Sequence, residues 1–335
     1  MSANSLSPAD TPHLLIPFAA CSAPAWLPAV QALPPASTRQ MVQLLRSMKP
    51  LHTDEADAHT LSPPHERALA RALDLAAPDG LIPWAEQDAA EHLQAEGGKA
   101  WAWLTPCHWA MGREHATLTD PAALGLREDE SRALLAAMQP YFETEGITLH
   151  YAPALGPARW LAEGELFRRL PTASLDRVLG RNVDPWLPRP TADDTRDAAR
   201  KMKLLQNEMQ MLLYTHPLND SRAAQRQLPV NSFWVSGTGV LPDGLRPSGV
   251  APRMPRALAQ AVFSDDWQAY AHAWAALDAT ELAPLLARQR AGEAVRLTLC
   301  GERNAITFET GHTSLFAKMT SLLAPTPLSH VLQQL

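Results

Sequence analysis

Proline is the feature that most limits what this chain can fold into. The sequence holds 30 prolines among 335 residues, and a proline interrupts a helix interior or a central strand because it lacks a backbone N–H donor. We therefore expect many short elements joined by loops. Hydrophobic residues make up 46% of the chain, which is typical of a globular protein, and its length suits one large or two medium domains.

Charge and hydropathy exclude several classes of partner. The net charge is −6, from 29 basic and 35 acidic residues, and no basic block stands out, so nucleic acid is not expected as a partner. No stretch approaches the roughly 20 apolar residues of a membrane span, and the first residues do not resemble a signal peptide. We therefore expect a cytoplasmic protein without a membrane partner. Cys21, Cys107 and Cys300 are widely separated and are expected to be reduced thiols.

Hydrophobic spacing predicts the order of the elements. The first part of the chain is predicted to contain a strand at 13–19 and helices at 38–48, 63–73 and 84–95. From residue 99 the pattern predicts strands at 100–105 and 115–118, an amphipathic helix at 128–142, and a strand pair of 147–151 with 158–162. The last part is predicted to contain a long helix ending at Tyr214, a strand at 231–236, a helical region at 258–277, and a hairpin of 295–300 with 304–309.

These patterns predict an α/β fold with a mixed sheet and flanking helices. We expect residues 1–98 and 191–335 to form the main α/β lobe, and residues 99–190 to form a smaller, inserted α+β lobe. On the long helix before Tyr214, apolar residues recur at three- and four-residue spacing, which is typical of a stripe that faces the core.

Polar residues concentrate in the stretch THPLNDSRAAQRQLPVNSFWVSGTG, residues 215–239. Pro217 disfavours helical geometry at His216, so the helix must end there with the imidazole near its C-terminal dipole. Asn219 favours a local turn, and Arg222 offers a fork that suits a carboxylate or a phosphate. We therefore predict a site for a small anionic ligand in this stretch.

Asn231, Ser232 and Thr238 complete the predicted site. The run of residues 236–239, SGTG, is expected to turn sharply and to direct backbone N–H groups at the anion. An alternative stays open, in which the histidine and the first asparagine cap the helix while the arginine pairs with a surface acid.

Two further patches supply candidate ligand-binding residues. His108 stands beside Trp109 and is expected to give an apolar wall a polar edge, whereas its neighbour Cys107 points to the opposite face of a strand. Arg177 and Arg181 are four residues apart, so on a helix they share a face and invite an anion; salt bridges with nearby aspartates are the alternative. Nucleophile, nucleotide and zinc motifs are absent from the sequence, so no catalytic residue is assigned.

The stretch 215–239 resembles a segment of the archaeal-type, cofactor-independent phosphoglycerate mutases. The residues that match that family's pattern in order are His216, Pro217, Asn219, Arg222, Pro229, Asn231 and Gly239. The resemblance implies an alkaline phosphatase-like lobe, in which those enzymes use two metal ions, a serine nucleophile and an Asp-Gly pair after the first strand. This chain has Pro17 and Phe18 at that place, and two adjacent cations need several carboxylates. We therefore expect a reduced lobe with no metal site and no cofactor.

Over nearly its whole length, the chain is similar to the RpfE-type bacterial regulatory proteins, which are often labelled phosphoglycerate mutases. The stretches that carry this resemblance include DGLIPWA, LTPCHWAMG, PTASLDRVLGRNVDPWLP and LQNEMQMLLYTHPLND. This resemblance implies a regulatory role and no defined reaction. Together with the missing acidic ligands and the predicted anion site, it leads us to expect a regulatory or ligand-binding protein that has lost its metals and binds a small phosphorylated or carboxylate molecule.

Two other functions stay open. One is an active phosphoglycerate mutase or a metal-dependent phosphomonoesterase, with metal ligands drawn from His108, His115, Glu208 and His216. The other is a non-catalytic interaction module that presents the Trp-rich helix over 267–274 to a protein partner. The motif TGHTS at 310–314 resembles the terminal histidine motif of the superfamily but lacks its aspartate, so it is expected to be a loop and helix cap.

Overall fold

The computed structural model describes residues 11–190, 195–241, 249–310 and 328–335. These residues form ten strands, numbered in chain order: β1 (His13–Ile16), β2 (Met48–Asp54), β3 (Trp101–Cys107), β4 (Trp109–Met111), β5 (Ala116–Leu118), β6 (Thr148–His150), β7 (Trp160–Glu163), β8 (Ser232–Gly239), β9 (Arg296–Cys300) and β10 (Ala305–Thr310). They also form twelve α-helices: α1 (Trp26–Gln31), α2 (Arg39–Leu45), α3 (Pro64–Ala72), α4 (Trp84–Leu93), α5 (Glu128–Thr144), α6 (Leu175–Val178), α7 (Arg196–Tyr214), α8 (Pro217–Ala224), α9 (Ala257–Phe263), α10 (Trp267–Leu277), α11 (Ala283–Arg290) and α12 (Leu328–Leu332). The predicted mixed α/β class with flanking helices is confirmed. None of the described helices combines the length and the apolar character needed to cross a membrane.

Contacts divide the described chain into two compact units, each with its own core. The first unit contains residues 11–59, 63–75, 249–310 and 328–335, and the second contains residues 60–62, 76–190 and 195–241. Residues 99–190, expected to form an inserted lobe, all lie in the second unit, which extends beyond them on both sides. The reason is that β3 pairs with β7 on one edge and with β8 on the other, so the chain after residue 195 returns to the same sheet.

A four-stranded mixed sheet forms the centre of the first unit, in the order β1-β9-β10-β2. β1 runs parallel to β9, and β10 is antiparallel to both of its neighbours, which confirms the hairpin predicted over 295–300 and 304–309. The sequence patterns did not predict β2. Its side chains are mostly exposed and it contains Pro50, a combination that only an edge strand tolerates.

Helix α10 contributes to the core of the first unit. Tyr270 and Trp274 are fully buried, and the Tyr270 hydroxyl donates to the Ala19 carbonyl oxygen at 2.9 Å while it accepts the Trp26 indole N–H at 3.1 Å. Buried aromatic residues with polar tips need such partners. These two side chains of the Trp-rich helix therefore face inward, where the expected interaction face would need them to face solvent.

His13, on the edge strand β1, makes the stability of the first unit depend on pH. Its Nε2 lies 2.8 Å from the Thr298 hydroxyl oxygen, and burial, together with the nearby Arg296 charge, lowers the pKa of the imidazole to about 4. The folded state therefore keeps this histidine neutral at pH values where the unfolded chain binds a proton.

We expect the His13 contribution to stability to be complete above pH 7 and to be lost as the pH falls towards 4, because protons then favour the unfolded state. The loss amounts to at most about 3 kcal/mol. Urea unfolding at several pH values from 7.5 to about 4.5 measures it in the wild type and in His13→Gln, which keeps a donor but does not titrate. An equal pH slope in both proteins would contradict this assignment.

The second unit contains an antiparallel sheet in the order β6-β7-β3-β8, and a separate two-stranded hairpin of β4 and β5. Helices α5 and α7 pack beside this sheet and share one core with it, which includes Phe142, Met202, Leu205 and Met209. The predicted pairing of 147–151 with 158–162 is confirmed by β6 and β7, and the predicted stripe on the long helix is confirmed by its buried residues.

Residues 236–239 form the end of strand β8, so the prediction of an exposed turn is wrong. They pair with β3 through an irregular register, with Ser236 opposite Trp103. Gly237 lies under the Trp103 ring, and a Cβ at Gly239 would stand 2.5 Å from the Leu81 carbonyl oxygen. The glycines are therefore needed for close packing within the unit. The sequence SGTG is equally compatible with an exposed turn, so it does not distinguish the two.

Candidate functional site

The His216 imidazole lies between two helices and caps the second. Helix α7 ends at Tyr214, as predicted, and α8 begins at Pro217. His216 is the N-cap of α8, where its Nδ1 accepts the Leu218 N–H at 3.2 Å. This geometry favours the capping alternative, because the imidazole nitrogen accepts a backbone N–H at the start of α8.

The Asn219 side chain holds two segments of backbone together. Its Nδ2 donates to the carbonyl oxygens of Leu213 and Val230, both at 2.8 Å, and its Oδ1 accepts the Val230 N–H at 2.9 Å. The amide therefore joins the end of α7 to the residues that lead into β8, and its hydrogen bonds are directed at the protein itself.

Arg222 is fully buried and is surrounded by internal acceptors. Its Nη1 donates to both carboxylate oxygens of Glu130 at 3.0 Å. Its Nε donates to the Leu228 carbonyl at 2.8 Å, and its Nη2 donates to the Leu124 carbonyl. The expectation that Arg222 binds an external anion is therefore corrected: the guanidinium forms a structural ion pair, and the partner acid is buried rather than at the surface.

Ser232 and Thr238 are also buried and bonded within the unit. The Ser232 hydroxyl accepts from Nε2 of Gln206 at 2.9 Å and from Nε2 of Gln210 at 3.3 Å. The Thr238 hydroxyl donates to the Leu170 carbonyl oxygen at 2.8 Å. These two hydroxyls therefore fasten β8 to its neighbours.

The structure places the other two patches differently: His108 contacts the stretch 215–239 through Pro229, and the Arg177 patch lies on and after α6. Arg177 is buried on α6 with its guanidinium carbon 5.8 Å from the Trp186 ring centre. The prediction that Arg177 and Arg181 share a helical face is wrong, because α6 ends at Val178 and Arg181 follows a turn. His108 is partly exposed, and its Nδ1 donates to the Pro229 carbonyl at 2.9 Å.

Asn231 differs from these residues because it borders an open cavity. Its Oδ1 accepts the Trp109 N–H at 2.7 Å and its Nδ2 donates to the Trp109 carbonyl at 3.0 Å. The side chain therefore fixes the first residue of β4 against the start of β8. It also lines the adjacent space together with the β4–β5 hairpin.

We call this space the hairpin cavity, and its volume is about 450 Å³. It is lined by Trp109, Met111, Gly112, Arg113, Glu114, His115, Ala116, Asp184, Gln210, Tyr214 and Asn231. Sites for small molecules have volumes of this order, with a few polar groups placed in a largely apolar wall.

Arg113 and His115 are the basic side chains of the hairpin cavity. Both are exposed on the turn between β4 and β5, and neither side chain makes a hydrogen bond or an ion pair with another residue in the described part of the chain. The carboxylates of Glu114 and Asp184 and the Gln210 amide lie around the same space. The cavity therefore offers the cationic guanidinium of Arg113 and an imidazole N–H of His115 as donors for an anion, and acceptors for the hydroxyl groups of a ligand.

Sequence reasoning missed Arg113, and it considered His115 only as a possible metal ligand, because it predicted a strand at 115–118 but no strand at 109–111 that would form a hairpin with it. The available signal was the sequence GREH at residues 112–115, in which a glycine precedes three charged or titratable residues between two short apolar runs. That pattern is typical of any exposed hairpin turn. The neighbouring Gln210 and Tyr214 come from a distant helix, so the cavity itself is not visible in the sequence.

Structural neighbours of the chain include a phosphoglycerate mutase. It is the cofactor-independent enzyme from Thermoplasma acidophilum DSM 1728, with 15% sequence identity, a TM-score of 0.36, and 91% of each chain covered. Another neighbour is the PH0037 protein from Pyrococcus horikoshii, with 12% identity, a TM-score of 0.41, and coverage of 90% of this chain and 87% of that one. No protein-family model matches the chain, and no curated protein matches it either.

The described residues do not assemble the metal ligands that the enzymatic alternative needs. No group of three or more His, Cys, Asp or Glu side chains among them is placed to hold a metal ion, so His108, His115, Glu208 and His216 do not converge. Residues 311–314 of the TGHTS motif lie outside the described residues. Burial raises the pKa of the Cys107 thiol, which keeps it protonated and unreactive beside His108.

Proposed function

We propose that this protein is a regulatory, ligand-binding protein that takes a small phosphorylated or carboxylate ligand in the hairpin cavity. One contrast supports the proposal. The Arg222 guanidinium is buried and bonded to internal acceptors, whereas Arg113 and His115 border a cavity and have no partner among the described residues. The basic group for the ligand is therefore Arg113, with His115 beside it.

The chemistry of the cavity matches such a ligand. A guanidinium binds a carboxylate or a phosphate through parallel, charge-assisted hydrogen bonds, and the imidazole supplies a further donor. Asp184 and Glu114 have the same charge as the anion and would not bind it. Their carboxylates would instead accept hydrogen bonds from the hydroxyl groups of a hydroxy acid or a sugar phosphate. The resemblance to RpfE-type proteins supports the regulatory part of the proposal.

Replacing Arg113 with glutamine should weaken ligand binding about tenfold to a hundredfold, because a hydrogen bond to a charged group contributes about 1.5–3 kcal/mol. Isothermal titration calorimetry with 3-phosphoglycerate, and with a small dicarboxylate, measures the dissociation constants of both proteins. Added salt should also weaken binding in the wild type, since the cavity is open to solvent.

Arg288→Gln is the matched control, because Arg288 is an exposed arginine on α11 and does not line the hairpin cavity. Its dissociation constants should equal those of the wild type. Equal affinity in the Arg113 and Arg288 variants, or no binding of any small anion, would refute the proposal. Conversion of the bound compound into a product would replace the regulatory interpretation with the enzymatic one.

A further inference from the structure

Large apolar side chains stand exposed at the mouth of the hairpin cavity. Met111, the last residue of β4, is 79% exposed, and Tyr214, the last residue of α7, is 83% exposed. Both line the cavity, one from the hairpin and one from the helix. Trp109 lines it as well but is 8% exposed, with its ring centre 6.5 Å from that of Trp234. An apolar rim on two walls therefore surrounds a fixed aromatic residue.

This rim and the basic side chains occupy adjacent positions in the chain and the cavity. Met111 is separated from Arg113 by Gly112 alone, so the apolar and the cationic groups of the hairpin face the same space. Single exposed apolar residues are common on protein surfaces, but several of them around a cavity with polar groups mark a binding site. A methionine side chain adapts its shape, and its sulfur packs favourably against aromatic rings.

We infer that the ligand of the hairpin cavity is an amphipathic anion, whose charged group binds Arg113 and His115 and whose apolar, aromatic arm lies between Met111 and Tyr214. This inference rests on the proposed function, because the arm is placed by the anion. It goes further by excluding bare phosphate and the smallest acids as the preferred ligands. Tyr214 and Trp109 give the arm aromatic surfaces to pack on, and Met111 covers it from the hairpin.

A pair of phosphonates with the same charged group tests the inference by calorimetry. Phenylphosphonate should bind the wild-type protein at least tenfold more tightly than methylphosphonate. Met111→Ser and Tyr214→Ser should each remove most of that difference while leaving the methylphosphonate dissociation constant within twofold of the wild type. Because both side chains are exposed, neither change should alter folding, which circular dichroism checks.

Met211→Ser is the control for a general loss of apolar surface. Met211 is 71% exposed on α7 but does not line the cavity, so this variant should keep the full preference for phenylphosphonate. Equal binding of the two phosphonates, or an equal effect of the Met211 change, would overturn the amphipathic ligand and leave anion binding intact. If neither phosphonate binds, the inference fails, and the titrations with 3-phosphoglycerate and the dicarboxylate decide the proposed function separately.

Discussion

Replacing Arg222 with methionine should lower the free energy of unfolding by about 3–5 kcal/mol, which is the usual cost of removing one partner from a buried ion pair. The Glu130 carboxylate would remain buried near α8 with its main counter-charge gone, and the Leu124 and Leu228 carbonyls would each lose a donor. Methionine has a similar length, so cavity formation contributes little. Urea unfolding followed by circular dichroism measures the loss.

Two further variants isolate the charge pair from other effects. Arg200→Ala breaks the exposed pair between Asp197 and Arg200 on helix α7, and it should change stability by less than about 0.5 kcal/mol. The double change Glu130→Leu with Arg222→Met removes both charges and should restore at least half of the lost stability, although the Arg127 N–H then loses its Glu130 acceptor. A double variant no more stable than Arg222→Met alone would contradict the assignment.

Replacing Gly239 with alanine should lower the free energy of unfolding by about 3 kcal/mol or more. Gly239 has a φ of +134°, which an L-residue rarely adopts, and the added Cβ would lie 2.5 Å from the Leu81 carbonyl oxygen. Backbone strain and overpacking each cost about 1–3 kcal/mol. The Leu81 oxygen belongs to the backbone, so rotation of a side chain cannot relieve the overlap.

Gly156→Ala separates the two causes. Gly156 has a φ of +75° and a ψ of 176°, a region that is almost exclusive to glycine, and a Cβ there meets nothing within 4 Å, so this variant should lose only the roughly 1–3 kcal/mol of backbone strain. Both variants are compared with the wild type by urea unfolding. Equal losses at the two positions would show that close packing against Leu81 contributes nothing.

Local spacing predicted the elements that bury a regular stripe or pair through a short turn. Helices α5 and α7, the β6–β7 pair and the β9–β10 hairpin were all predicted, because each depends on residues near one another in the chain. Strand β2 was not, since its exposed edge leaves no apolar alternation to detect.

The roles of the polar residues depended on partners that the sequence does not identify. Arg222 and Glu130 are 92 positions apart, and no spacing rule distinguishes an arginine that meets a buried acid from one that meets a ligand. In the same way, Asn231 lines the hairpin cavity only because β8 returns beside Trp109. Residue type predicted which side chains form hydrogen bonds, but the tertiary structure determined their partners.

Asn219 and Asn231 each use one side-chain amide to engage both backbone groups of a single residue, Val230 and Trp109 respectively. Only a group with a donor and an acceptor side by side can do this, and a carboxylate has acceptors alone. Hydrolysis of either amide during ageing or heating would replace its NH2 donor with an oxygen. That oxygen would then lie against the carbonyl oxygen of Val230 or Trp109 and repel it. Amide hydrolysis at Asn219 and Asn231 should therefore weaken the second unit over time. The β4–β5 hairpin should be attached more tightly in freshly prepared protein than in stored protein.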